Sequence, residues 1–340
     1  MAEPEEGGQW NWLTGVSYDG NLSSQLQHVT VDRANPPIVQ AFQSFHWGGW
    51  TFAVNESTVT SNGSLALRFS KGGYQEARGP GYGDWFPSPP ASGGPNMGAE
   101  SFLENAKALL DSPREWWLNA STKTLYFMAN GTGPPAATGW IGSNLETVLH
   151  VAGSRTSPVV GHTLLGVRVA HTAPIFLKPY QGSLSGGDWS IRTTGAVILE
   201  GTRNALVQDC IFDGVGGNAL MIHKFNRNAT VADSEFVWVG ESAIALVGTT
   251  DRIDGTGGDQ PRGTHIQRNL IHELGVFGKQ TAGVVQAMSA QTVIRHNVMW
   301  NGPRAGINFL DGFGGGNLIE GNLLWNWVRE TGDHGPFKSW

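Results

Sequence analysis

Residues 196–247 read AVILEGTRNALVQDCIFDGVGGNALMIHKFNRNATVADSEFVWVGESAIALV, and this stretch decides the fold. A small residue opens a short apolar strand three times, at Ala196 (AVILE), Ala219 (ALMIH) and Ala243 (AIALV), with spacings of 23 and 24 residues. Gly283 (GVVQA) and Gly306 (GINFL) open strands in the same way, 40 and then 23 residues further on. The long interval contains a polar, Gly-rich loop from Gly248 to Gly263. Removing its 16 residues leaves 24 and restores the period. A period of this length marks a solenoid, in which one coil buries its apolar face only against its neighbours.

A second strand recurs inside each coil: ALVQDCIF from Ala205, ATVADSEF from Ala229, THIQRNLI from Thr264, TVIRHNVM from Thr292 and NLIEGNLL from Asn317. Aligning them places Cys210, Ser234, Asn269, Asn297 and Asn322 in one column. Small polar residues passing into Asn predict a ladder of side-chain amides bonded from coil to coil. Apolar residues alternate along each strand, so one face points inward and the other outward. The Leu pattern of leucine-rich repeats is absent, and a propeller blade needs about forty residues. The expected fold is therefore an all-β, right-handed parallel β-helix. Its first full rung is read at His162 (HTLLGVRVAHT).

Composition agrees with that reading. The chain has 340 residues, 48 of them Gly, with only 15% charged residues, which suits tight turns better than helices. Fourteen Trp and fifteen Phe argue against disorder. A net charge of -6 leaves no basic footprint, so no nucleic-acid partner is expected. No apolar run is long enough to span a bilayer. The single Cys210 allows no internal disulfide. Sequons at Asn21, Asn55, Asn62, Asn119, Asn130 and Asn228 favour an extracellular or secretory-pathway glycoprotein. The acidic opening at Met1 does not read as a signal peptide, and the chain is expected to be a fragment of a longer protein.

The N-terminal part lacks the period. It offers strand candidates from His46 (HWGGWTFAV) and Leu65 (LALRFS), and a hairpin over EWWLNASTKTLYFMANG from Glu115. Residues 99–113 (AESFLENAKALLDSP) place Phe102, Leu103, Ala106, Leu109 and Leu110 on one side, which predicts an amphipathic helix ended by Pro113. The expected organisation is a partly irregular segment over 1–38, then a cap with opening coils and inserted strands over 39–160. Regular coils follow over 161–340.

Phe102-Leu103-Glu104-Asn105, Leu109-Leu110-Asp111-Ser112-Pro113, Glu115-Trp116-Trp117 and Leu125-Tyr126-Phe127 together resemble a segment common in right-handed β-helix proteins of the glycoside-hydrolase-like, pectate-lyase-like superfamily. Arg114 stands where that segment usually has Gly. Three later stretches are similar to a eukaryotic family of right-handed β-helix proteins. They run from Ser185 to Trp189, from Asn301 to Asn308 and from Glu330 to Phe337. The resemblance runs from about Val39 to the end. It implies the fold and, by analogy, carbohydrate chemistry. Two departures from the related pattern fall at Leu310-Asp311 and at His223-Lys224-Phe225.

The repeat also sorts candidate site residues. Outward strand positions supply Glu200, His223, Lys224, Asn308 and Asp311, and turns add Asp213, Glu241, Lys279, Gln280 and Arg304. The insertion supplies Asp254, Asp259 and Arg262, and the last coil supplies Arg329, Glu330, Asp333 and His334. Coils stack about 4.8 Å apart, so acids one or two coils apart fall within the separations used in glycoside hydrolysis. Asp311 and Glu330 are the expected catalytic pair, with Asp254 and Asp333 in reserve. His223, Lys224, Asp259, Arg262, Lys279, Arg304, Asn308 and His334 are the expected substrate contacts. A structural reading stands beside this one, since Asp-Gly pairs such as Asp254-Gly255 and Asp311-Gly312 are turn signatures.

The expected activity is hydrolysis of an extended polysaccharide lying along the wall, by a monomer. Lys279 and Arg304 keep open a lyase acting on a uronate-containing glycan, in which Ca²⁺ could take part. A non-catalytic glycan-binding or adhesion module is the third reading. No metal motif is present: His-Glu-x-x-His and Cys clusters are missing, and Asp254 to Asp259 lacks EF-hand spacing. No cofactor is otherwise expected.

Overall fold

The structure is a computed structural model that describes residues 15–18, 26–42, 46, 49–61, 63–74, 101–131, 133, 138–178, 181–182, 190–250, 255–310, 314–332 and 335–339. The chain forms two compact units, the first ending at Ile141 and the second running from Gly142 to Trp340.

In the first unit, five antiparallel strands make one sheet in the order Gly15–Tyr18, Leu65–Tyr74, Gly49–Val59, Ile38–Phe42, Ser101–Glu104. The expected hairpin is present as Trp116–Asn119 paired with Thr124–Phe127. The expected helix over 99–113 is not. Ser101–Glu104 is instead an edge strand on Ile38–Phe42, and only a single 3-10 turn, Lys107–Leu109, follows it. Sheet pairing supplied by a distant strand overrides the local helical period here, as tertiary context commonly does.

The second unit is the right-handed parallel β-helix. Each coil contributes one strand to each of three parallel sheets. Sheet I stacks Leu149–Ala152, Val197–Arg203, Leu220–Arg227, Ile244–Val247, Ala282–Ala287, Ala305–Leu310 and Phe337–Ser339. Sheet II runs from Thr163–Leu165 to Leu318–Glu320, and sheet III from Arg168–Ala170 to Leu323–Trp325. Val197, Leu220, Ile244, Val284 and Ile307 stand in register, so Ala196, Ala219, Ala243, Gly283 and Gly306 form the column read from the sequence.

The interior is a stack of like upon like. Val207, Val231, Ile266 and Ile294 line sheet II and are at most 1% exposed. On sheet III, Phe212 and Phe236 lie one above the other with centroids 4.7 Å apart. Three single-residue bends turn each coil, and each needs the left-handed region. The bend between sheets II and III uses Gly166, Asp209, Asp233, Arg268, His296 and Gly321, all at φ between 51° and 65°. Gly adopts this conformation freely and Asn or Asp at modest cost. The next residue in each coil belongs to the amide ladder. The backbone N–H of Cys210 donates to Ser234 Oγ at 3.1 Å, and those of Ser234, Asn269 and Asn297 donate to the Oδ1 of Asn269, Asn297 and Asn322 at 3.0 Å.

One expectation about burial does not hold. Outward positions of sheet I were expected to face solvent, yet Ile198, Met221, Ala245 and Val285 form a second apolar cluster there. Parallel sheets are commonly covered on both faces, and these strands accordingly read as continuous apolar runs rather than clean alternations.

Candidate functional site

Sheet I is interrupted once by a bulge. His223 lies opposite Glu200 on the neighbouring coil, but Asn226 lies opposite Thr202, so Lys224 and Phe225 face the single residue Gly201. An extra residue bends its strand and re-aims side chains, and bulges gather beside active sites. Asn226 pins the bulge. Its Nδ2 donates to the carbonyls of His223 at 2.7 Å and Leu199 at 3.1 Å, and its Oδ1 accepts from Thr202 Oγ1 at 2.6 Å. Gly201, at φ 64°, lets the coils close up, because a Cβ there would sit 2.0 Å from the carbonyl carbon of Gly153. Gly201→Ala is therefore expected to cost about 1–3 kcal/mol by overpacking, visible as a lower urea midpoint.

The bulge brings Lys224 back over Glu200. Lys224 Nζ lies 3.0 Å from Glu200 Oε1, His223 Nδ1 lies 3.5 Å from Oε2, and His150 Nε2 lies 3.9 Å from Oε2. Burial alone would raise the Glu200 carboxyl. The Lys224 hydrogen bond and charge, with the charges of His223 and His150, outweigh burial and hold it below its ordinary value. Burial pushes His223 down, and the opposing pull of Glu200 does not cancel this. At neutral pH the cluster is an ionised carboxylate beside a neutral imidazole and an ammonium, able to accept a proton and to stabilise charge.

The sign of the Glu200 shift sets a pH prediction. A carboxyl whose folded pKa is depressed adds stability above its unfolded value, near 4.5, and loses it as pH falls through the folded value. Unfolding midpoints of wild type and Glu200→Gln, followed downward from pH 5, are expected to converge.

Beyond the bend, the last residues of the insertion rejoin the wall. Pro261–Arg262 pairs with Asn226–Arg227, which puts Arg262 in the column of Arg203 and Arg227. Asp259 is 2.6 Å from Arg155 Nε. His223, Lys224, Asp259 and Arg262 are thus brought to one stretch of wall, together with Glu200, which was read only as an outward position. Sequence reasoning missed His150, Arg155, Arg203 and Arg227. Arg203 and Arg227 stand 24 residues apart, one coil period, and that spacing was the available signal.

The expected catalytic pair is not assembled among the described residues. Asp254, Asp311, Asp333 and His334 lie outside the described residues. Glu330 sits on the turn that opens the strand Ala305–Leu310, with its N–H on the Pro303 carbonyl at 3.2 Å and Lys279 Nζ 2.9 Å from its carboxylate. Leu310, the last described residue of that strand, is about 17 Å further along at 3.3 Å per residue. Lys279 also donates to the Gly275 carbonyl at 2.9 Å, which fits a turn clamp.

Other expected contacts prove to be interior. Arg304 and Asn308 are both 0% exposed, so neither is open to a ligand as arranged. Glu241 and Gln280 are buried as well, and Glu241 pairs with Arg192. The outer Trp expectation holds in part. His272, Trp300 and Trp325 stack face to face on sheet III at 4.1 and 4.9 Å, while Trp327 is buried. Among the described residues, no group of three or more His, Cys, Asp or Glu is placed to hold a metal ion. Among the same residues, no helix is long and apolar enough to cross a membrane.

Comparison with known proteins reaches the fold. No family model matches the sequence, and no curated protein matches it. A solved structure described as "Glycoside hydrolase" superposes with a TM-score of 0.65 at 15% identity over 97% of this chain. This chain spans 62% of that protein's length. At that identity the likeness is one of fold: the chain is a right-handed parallel β-helix similar in architecture to that hydrolase.

Proposed function

We propose that this chain is a carbohydrate-active β-helix that hydrolyses an extended polysaccharide laid across the coils at the Glu200 bend. The observation that carries the proposal is the ionised Glu200 on the outer wall, held by Lys224 and beside the uncharged His223 of the next coil. Glycoside hydrolysis needs a carboxylate as nucleophile or as base for water. The architectural likeness to a glycoside hydrolase supports that direction. The place of action is the secretory pathway or beyond, supported by the sequons, of which Asn55, Asn130 and Asn228 are exposed.

Elimination is the second reading. A uronate lyase needs a neutral base and cations to offset the substrate carboxylate, and His223 beside Lys224 and the arginines supplies both types of group. Incubation with a panel of neutral and acidic glycans separates the readings. New saturated reducing ends support hydrolysis. Unsaturated ends that absorb in the ultraviolet transfer the site to elimination. Retention of a glycan with neither product reduces the chain to a binding module.

A further inference from the structure

On the far side of the bulge three arginines stand on three successive coils. Arg203, Arg227 and Arg262 are register partners across sheet I. Their columns are about 4.8 Å apart, the spacing of stacked strands. The ladder is bounded, because the same position is Val160 on the coil before and Ala290 on the coil after. The bulge puts Phe225 beneath it, with the Arg227 and Arg203 guanidinium carbons 4.4 and 5.0 Å from the ring centre. Stacking on an aromatic face fixes a guanidinium plane while leaving N–H groups free to donate.

Like charges in adjacent rungs repel, and little compensates them here. The charges acting on Arg227 are those of Arg262, Arg203 and Arg155 on one side and the carboxylate of Asp259 on the other. Asp259 is already engaged by Arg155 at 2.6 Å. Arg227 Nη1 donates to the carbonyls of Asn226 at 2.8 Å and Gln260 at 2.6 Å, which fixes the side chain without neutralising it. Arg262 Nε is buried and has no hydrogen-bond partner among the described residues. In a chain of net charge -6, this is a local concentration of positive charge with an unmet donor.

We propose that the Arg203–Arg227–Arg262 ladder is a binding subsite for the repeated anionic groups of an acidic polysaccharide. Guanidinium pairs bidentately with carboxylate and with sulfate-like oxyanions, so both a polyuronate and a sulfated glycan share the required chemistry. The subsite deepens the glycan reading above and rests on it for the identity of the polymer. It predicts that the reacting sugar at Glu200 is flanked by an acidic neighbour one or two rungs away.

The test is binding of the full chain to a polyuronate, a sulfated glycan, a neutral glycan of matched length and single-stranded nucleic acid, each across a salt series. The expected result is salt-dependent binding to one of the two acidic glycans in preference to the neutral one and to the nucleic acid. Which acidic glycan is preferred identifies the anion. Arg203→Gln, at an exposed position, is expected to weaken binding about tenfold and to flatten the salt slope without moving the urea midpoint. The triple Gln variant is expected to abolish the preference. Equal affinity for the neutral glycan, tightest binding to nucleic acid, or an unchanged affinity in a folded Arg203→Gln variant would overturn the subsite. Cleavage of a neutral glycan alone would leave the hydrolase reading standing without it. Salt-dependent binding of an acidic glycan with no cleavage of any glycan would do the reverse.

Discussion

Glu241→Ala is expected to lower the unfolding free energy by about 3–5 kcal/mol, the usual cost of stranding one partner of a buried ion pair. Arg192 Nη1 lies 2.6 Å from Glu241 Oε1, and the two side chains are 5% and 3% exposed. Arg192 also donates to the carbonyls of Lys178 and Phe176, so its guanidinium cannot swing out to water when the carboxylate is removed. Glu241 itself is pushed up by burial against the opposing pull of Arg192. The control is Arg268→Ala. It breaks a pair with Asp233 whose arginine side chain is 50% exposed, and it is expected to cost less than about 1 kcal/mol. Urea unfolding of the two variants against wild type measures the contrast. Equal losses would mean that the Arg192–Glu241 pair is not desolvated.

Asn297→Ala is expected to cost about 2–4 kcal/mol. Asn297 is the middle rung of the amide ladder and is fully buried. Its Oδ1 accepts from the backbone N–H and the Nδ2 of Asn269, and its Nδ2 donates to the Ile266 carbonyl and to Asn322 Oδ1. Truncation leaves several of these groups unpaired where water cannot replace the lost partner. Asn322→Ala removes a less buried rung and is expected to cost less. Thermal unfolding of the pair reads the difference, and no loss in Asn297→Ala would deny the ladder its structural role.

The coils were legible because a β-helix writes its geometry into the period. The strand-opening residues from Ala196 to Gly306 and the column from Cys210 to Asn322 are separated by one turn of the solenoid, so arithmetic on the sequence finds them. The edge strand Ser101–Glu104 was not legible. Its partner, Ile38–Phe42, lies more than sixty residues away, and nothing local distinguishes it from the first turn of a helix. Burial of the outer face of sheet I was hidden for a related reason. Alternation tells inward from outward, but not outward from exposed, and Asn308 and Arg304 fall in that gap.

The site was half legible. His223, Lys224, Asp259 and Arg262 were singled out as polar residues on or beside the wall, and the bend gathers them. The arginine ladder was obscured by treating Gly248 to Gly263 as a loop throughout. Pro261 and Arg262 are already back on the sheet, one rung from Asn226 and Arg227. The bulge was also invisible, because one extra residue between His223 and Asn226 leaves the coil length within the range that the other coils show.

Turnover by Glu200→Gln tests the account most directly, measured on the first glycan of the panel that wild type cleaves and at a pH where both proteins are folded. A loss of about 100-fold or more is predicted, with Arg268→Ala cleaving at the wild-type rate. Cleavage by Glu200→Gln at the wild-type rate would contradict the assignment of the chemistry to the bend in sheet I.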